Sequence, residues 1–291
     1  MPASSANDDA ASPGPALDTT AAWATWPMPN SGPGLPNQQS FDTRTSGVVL
    51  DRVTGLTWQR SPAGKLLTFA DAKRNCDELT LAGYDDWRLP SRIELASILD
   101  LTRTQPAINV AAFPNTPSDW FWTSSAAAGE PQSAWYVYFY FGYPKTDLIS
   151  NQFSLRCVRA DPQKSALLAH YDVQTDAVRD LGTGLTWARA VSDHALAFDA
   201  ARAYCGRLGL AGKAWRVPSM PELLTLIDER ALLPPLIDQS AFPNTPSEAF
   251  WSSSSFGGAA GMAWQVYFDH GHALYGLDSV ELRVRCVTAS P

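Results

Sequence analysis

Apolar and tyrosine positions alternate through Trp135, Val137, Phe139 and Phe141 on one side and Tyr136, Tyr138 and Tyr140 on the other. A period of two predicts a β-strand with an apolar face and a tyrosine face. The same pattern returns with Trp264, Val266 and Phe268 inward and Gln265, Tyr267 and Asp269 outward. Helical spacing marks Phe69, Ala72, Cys76 and Leu79, and again Phe198, Ala201, Cys205 and Leu208. Thr68 followed by Asp71 starts the first of these helices with capping-box spacing, whereas Ala197 leaves the second without a side-chain cap. Each is followed by a second helix opened by a Ser and Glu capping box, Ser91 with Glu94 and Ser219 with Glu222, whose inward positions in the first case include Leu95, Ile98 and Leu99. Ahead of these helices, short apolar runs flank Asp51 to Gly55 and Asp180 to Gly184. They predict β-hairpins in which the aspartate accepts backbone hydrogen bonds.

The chain is therefore two copies of one domain. Phe113-Pro114-Asn115-Thr116-Pro117-Ser118 recurs letter for letter as Phe242-Pro243-Asn244-Thr245-Pro246-Ser247, an offset of 242 − 113 = 129. The same offset relates Trp58 to Trp187 and Cys157 to Cys286, interrupted only by a one-residue deletion near Tyr84 to Asp86 that is made good before Phe113. The prolines of the repeated phrase exclude regular helix and predict a fixed loop. Residues 1–40, rich in Pro, Ala, Ser and Gly, read as a flexible leader whose only bulky residues are Trp23 and Trp26. Residues 41–160 and 161–291 are the two domains, each long enough for a core of its own.

A net charge of −7 argues against a polyanion-binding surface, so nucleic acid is not an expected partner. No apolar run reaches the roughly 20 residues needed to span a bilayer, and no secretory signal follows Met1. Either the protein is cytosolic or a signal has been removed. The four cysteines, one early and one late in each copy, favour the second option. They permit three pairings, of which only Cys76 with Cys157 and Cys205 with Cys286 leaves each copy self-contained. The alternative is four buried reduced thiols in a cytosolic protein.

All four histidines lie in the second copy, and no Ser-His-Asp or metal-ligand cluster repeats, so no catalytic residue and no cofactor is assigned. His270 and His272 could share a strand face and hold a metal with Asp278, but Gly271 between them favours a turn. Glu94 and Glu222 read as helix caps rather than general acids. Arg88, Arg216, Arg156 and Arg285 read as structural hydrogen-bonding residues beside Trp or Cys.

The order of hairpin, Cys-bearing helix, Trp87-Arg88-Leu89-Pro90-Ser91 helix, fixed loop, aromatic strand and terminal Arg156-Cys157-Val158 resembles the bacterial family named for the C-terminal domain of the Lcl collagen-like adhesin. A helix cysteine paired with a last-strand cysteine also resembles the C-type-lectin-like fold and its relatives around the formylglycine-generating enzyme. The resemblance implies an α+β fold: two tandem C-type-lectin-like domains, each a small, mostly antiparallel sheet with two helices and long loops. It implies a non-enzymatic secreted, cell-surface or periplasmic module of adhesin type, binding an extracellular glycan or protein. The alternatives are a structural subunit of a self-assembling surface appendage and, further off, an enzyme related to the formylglycine-generating fold. The candidate contacts are Trp120, Tyr136, Tyr138, Tyr140 and Tyr143 in the first copy and Tyr267, Asp269, His270, His272 and Tyr275 in the second. Tyrosine offers large contact area and a hydrogen bond at low entropic cost.

Overall fold

The computed structural model describes residues 23–160 and 170–289. The first copy runs β1 (Phe41–Asp42), β2 (Val48–Asp51), β3 (Thr57–Gln59), α1 (Phe69–Asp77), α2 (Arg92–Ser97), β4 (Trp120–Ala126), β5 (Ser133–Tyr138), β6 (Tyr143–Leu148) and β7 (Val158–Arg159). The second runs β8 (Tyr171–Val173), β9 (Ala177–Asp180), β10 (Leu185–Ala188), α3 (Phe198–Gly206), α4 (Met220–Leu224), β11 (Ala249–Ser255), β12 (Met262–Tyr267), β13 (Ala273–Leu277) and β14 (Val287–Ala289). Each copy has a four-stranded sheet, ordered β1-β2-β3-β7 or β14-β10-β9-β8, and a three-stranded one, β4-β5-β6 or β11-β12-β13. Every strand pairing in these sheets is antiparallel, and with two α-helices per copy among the described residues the class is α+β.

Local chemistry places the boundaries where the sequence predicts them. Asp51 and Asp180, both fully buried, accept the turn amides of Val53 and Gly182 at 2.9 Å each. Ser91 and Ser219 complete reciprocal capping boxes with Glu94 and Glu222, and Thr68 caps α1, while α3 starts at Ala197 with no side-chain cap. Arg88 and Arg216 reach those same glutamates at 2.7 Å, which orients each second helix against its own sheet.

The repeated proline loop owes its identity in the two copies to a buried arginine. Arg156 donates to the carbonyls of Gln59 and Arg60 and to Thr116 Oγ1, and its guanidinium lies 4.9 Å from the ring of Phe113. Arg285 does the same with Ala188, Arg189, Thr245 and Phe242. A buried cation must find such partners, and the loop supplies two of them in a fixed arrangement. Asn115 and Asn244 sit at φ of 58° and 57°, a left-handed conformation that asparagine tolerates better than most residues.

Among the described residues, three apolar cores follow from this framework. One belongs to the first copy and holds Cys76 and Cys157 with Phe69, Trp122, Tyr136 and Phe153. Another belongs to the second copy and holds Cys205 and Cys286 with Trp215 and Trp251. The largest is common to both, joining Ile93, Ile98 and Phe139 to Leu223, Ile227 and Trp264. Residues Ala24, Trp26 and Met28 are buried in that shared core. Residues 1–22, the first part of the expected leader, lie outside the described residues. From Trp23 onward the segment is a packed strap. Gln39 donates to the carbonyl of Leu99 at 2.9 Å in the first copy, and Asn30 donates to Glu222 at 3.3 Å in the second.

Candidate functional site

Trp120 opens β4 directly opposite Tyr138 of β5. Their rings stack at 5.4 Å and 23°, and Tyr138 stacks in turn on Tyr140 at 5.7 Å and 18°. Phe153 supports Trp120 from beneath at 5.4 Å, while Phe141 sets its edge against both tyrosines. Trp120 is 41% exposed and the two tyrosines are half-buried, so the row is a rigid aromatic ledge in contact with solvent. Burial pushes the Tyr138 phenol above its ordinary value, and the neighbouring Tyr140 and Asp119 push the same way. It is a neutral hydrogen-bonding group at neutral pH. The equivalent positions in the second copy, 129 residues on, are Ala249, Tyr267 and Asp269, so only the first copy carries the ledge.

Tyr136 does not belong to it. Alternation places Tyr136 on an outward face, but only 6% of it is exposed, and its ring meets Phe153 edge-on at 5.2 Å. The reason is architectural: β5 is covered on both sides, by the first copy's own core around Tyr136 and by the shared core around Val137 and Phe139. A tyrosine face is a solvent face only where the second layer ends, which is at Tyr138.

Tyr143, His272 and Tyr275 lie on the seam between the copies. Tyr143 approaches Trp264 at 6.1 Å, and His272 sets its edge on Trp135 at 5.4 Å. Since 272 − 143 and 264 − 135 are both 129, these two contacts are one contact made twice, as across a two-fold axis. Phe141 meets Tyr275 at 5.5 Å, and Tyr275 stacks flat on Phe256 at 3.8 Å and 6°. A band of aromatic rings thus runs from the exposed ledge into the seam. Burial, aided by the positive charges of His270, Lys145 and Arg92, pushes His272 down to about 3.

The seam also contains an ion pair that does not obey the repeat. Arg92 Nε meets Glu229 Oε2 at 2.9 Å, and Ser125 donates to the other carboxylate oxygen at 2.8 Å. The Arg92 guanidinium lies 5.2 Å from the Trp135 ring. Burial raises the Glu229 carboxyl, against the lowering effect of Arg92 and Ser125. The sequence reading missed both residues, because neither has a charged counterpart in the other copy.

The remaining expected contacts scatter. Tyr267 is half-buried with its hydroxyl donating to Gln265 Oε1 at 3.3 Å, and Asp269 pairs with His270 at 2.9 Å on the surface. His270 stacks on His272 at 4.3 Å, but Asp278 lies beyond the far end of β13, lining a groove by Gly261. The triplet His270, His272 and Asp278 is not assembled as a metal site, and no group of three potential ligands is present among the described residues. The strap was legible in retrospect: Ala24, Trp26 and Met28 alternate, the spacing of an extended segment packed on one side.

Cys76 is bonded to Cys157 and Cys205 to Cys286, and no free cysteine is left. No helix among the described residues is long and apolar enough to cross a membrane. Both facts are compatible with an extracellular or periplasmic location. The fold and its staples define a class: two tandem α+β domains built on antiparallel sheets, each closed by one disulfide from its first helix to the residue just before its last strand. Residues 47–159 and 176–288 each match the Lcl C-terminal domain, and the chain belongs to that family in two consecutive copies. No curated protein matches the sequence.

Proposed function

We propose that the chain is a non-enzymatic binding module of adhesin type, exported from a bacterial cell, whose first copy holds a carbohydrate against the ledge of Trp120, Tyr138 and Tyr140. The observation that carries this is the asymmetry of the repeat. Both copies keep Trp135 and Trp264, Val137 and Val266, and Phe139 and Phe268 for packing, yet only the first places a half-exposed tryptophan and two stacked tyrosines at its sheet end. Folding needs the common residues. It does not need an indole in water, since Ala249 serves in the same place. Aromatic rings braced by neighbours suit sugar rings, because little side-chain freedom is lost on binding. The adjacent Asp119 and the overall negative charge favour a neutral glycan over a sulfated one.

Bonding of all four cysteines supports this over chemistry of the formylglycine-generating kind, which depends on a cysteine pair in the active site. A glycan array probed with the full chain tests the proposal. Binding to neutral glycans should fall strongly for Trp120→Ala with Tyr140→Ala while the melting transition is retained. Undiminished binding by that variant would remove the ledge as the site. A second reading, self-assembly, has its own observation: Leu232 and Leu233 are 73% and 78% exposed on a loop whose first-copy counterpart is polar. Concentration-dependent sedimentation that is lost in Leu232→Ser with Leu233→Ser would favour it.

A further inference from the structure

The pseudo-two-fold that relates the copies builds the same corner twice, with different results. In one corner the loop after α2 meets the turn after β11 of the other copy, where a Cβ on Gly257 would come within 3.0 Å of the Leu101 carbonyl oxygen. In the other the loop after α4 meets the turn after β4, where a Cβ on Gly129 would lie 3.9 Å from Leu232 Cδ2. The two loops start and finish on matched turns. Asp100 accepts the Thr102 amide and Asp228 the Arg230 amide, each at 3.1 Å, and Asn109 and Asp238 accept the amides of Ala112 and Ala241. Between these turns the first loop advances 109 − 102 = 7 positions and the second 238 − 230 = 8, so the second carries one extra residue. That length forms a projection. Leu232 and Leu233 stand at its tip, 73% and 78% exposed, where the shorter loop has Arg103 and Thr104.

The corner at Gly257 is instead a recess of about 450 Å³. The strap is tied to it by Ser31, which accepts the Leu101 amide at 3.0 Å, and adds Leu35 to a lining that includes Leu101, Phe198 and Pro221. Phe198 is half-buried there, whereas its counterpart Phe69 is 3% exposed, so this side leaves an apolar ring partly uncovered. An apolar cavity of about 150 Å³ holds one benzene-sized group, so the recess has room for two leucine side chains. The flanking charges are opposite. Glu130 is exposed next to Gly129, at the foot of the projection, and the exposed Arg202 borders the recess.

We infer that the recess receives the Leu232 and Leu233 tip of a second copy of this chain, in a head-to-tail contact. The inference rests on the self-assembly reading and names the two surfaces that would meet. Both leucines leave water for Leu35, Leu101 and Phe198, and Glu130 comes to the side of Arg202, where an exposed charge pair sets orientation more than strength. Each chain offers one tip and one recess at different corners. The contact is therefore heterologous, repeating from chain to chain unless the rotation closes a ring. A contact centred on two side chains falls short of the roughly 1,000 Å² of a stable interface, so the association is weak and depends on concentration.

Sedimentation velocity of the full chain over a concentration series tests it, with a tip variant, Leu232→Ser with Leu233→Ser, and a recess variant, Ser255→Phe, which fills the space from an exposed position on its wall. The parent should form dimers and larger species as concentration rises. Each variant alone should stay monomeric with its melting transition retained. Mixing the two variants should give dimers and nothing larger, because one intact tip then meets one intact recess and no second contact is available. Assembly that is lost in the tip variant but unchanged by Ser255→Phe would overturn the inference and leave the self-assembly reading standing, since the leucines would then meet another surface. A mixture of the variants that stays monomeric would overturn it as well. A parent that is monomeric up to about 1 mM, the range of the weakest specific association, would overturn both.

Discussion

Arg92 of the first copy and Glu229 of the second form a buried ion pair across the seam, at 1% and 8% exposure. The repeat places Met220 where Arg92 stands and Leu101 where Glu229 stands, since 220 − 92 and 229 − 101 are both 128. Both are buried in the shared core. One side of the pseudo-two-fold is therefore ionic and the other apolar, which distinguishes the first copy from the second at the contact. Removing one partner of a buried pair leaves the other charge without compensation. Glu229→Ala should lower the stability measured by urea unfolding by about 3–5 kcal/mol. Arg92→Met with Glu229→Leu, which copies the apolar side, should be close to neutral or more stable than the parent.

His272 gives the seam a pH dependence of definite sign. Its folded-state pKa is about 3 against an ordinary 6.5, because burial and the nearby positive groups disfavour the imidazolium. The unfolded chain thus binds a proton in this window that the folded chain does not. The stability contributed is fully present above 6.5 and is lost as pH falls toward 3. Melting curves at roughly pH 7 and pH 4 should show a larger acid loss in the parent than in His272→Tyr, which restores the residue of the first copy, by on the order of a few kcal/mol. Equal losses would show that His272 does not report on the seam.

Sharing of the largest core bears on what a single copy can do. Residues 41–160 alone would expose the face formed by Ile93, Ile98 and Phe139. An apolar face of this kind is covered by self-association or leaves loose packing. Sedimentation of that fragment should show dimers or larger species, built on the contact the two copies make in the full chain. A monomeric fragment with a sharp unfolding transition would show each copy to be closed on its own.

Each disulfide closes a sequence separation of 81 residues. Loop-closure entropy assigns such a bridge about 4 kcal/mol. Cys205→Ser with Cys286→Ser should lower stability by that order, and thiol titration of the denatured parent without reductant should find almost no free thiol.

Two tryptophans in the first copy's three-stranded sheet should separate folding from binding. Trp135 is 2% exposed and touches residues on both sides of the seam, so Trp135→Ala should cost about 3–5 kcal/mol. Trp120 is 41% exposed, and Trp120→Ala should change stability by about 1 kcal/mol or less while reducing glycan binding. Comparable loss of stability in the two variants would make the ledge a packing element.

Local interactions are what the sequence alone determined. Capping boxes, the Asp51 and Asp180 turns, the helix faces bearing cysteine and the loop between Phe113 and Ser118 depend on residues near one another or on a repeat that states them twice, and the disulfide pairing follows from requiring each copy to be self-contained. Burial of a given face is different, because it depends on what arrives to cover it. Alternation set Tyr136 apart from Trp135, but could not say that the cysteine-bearing helix and Phe153 would close over the tyrosine side. Nor could it say that the strap and second copy would meet the other side, seating Tyr143, His272 and Tyr275 in a seam and pairing Arg92 with Glu229. These contacts join residues more than a hundred positions apart and, in the ion pair, break the repeat, so no periodicity records them. Only the tertiary structure brings their chains together, and with them the cavity at the junction.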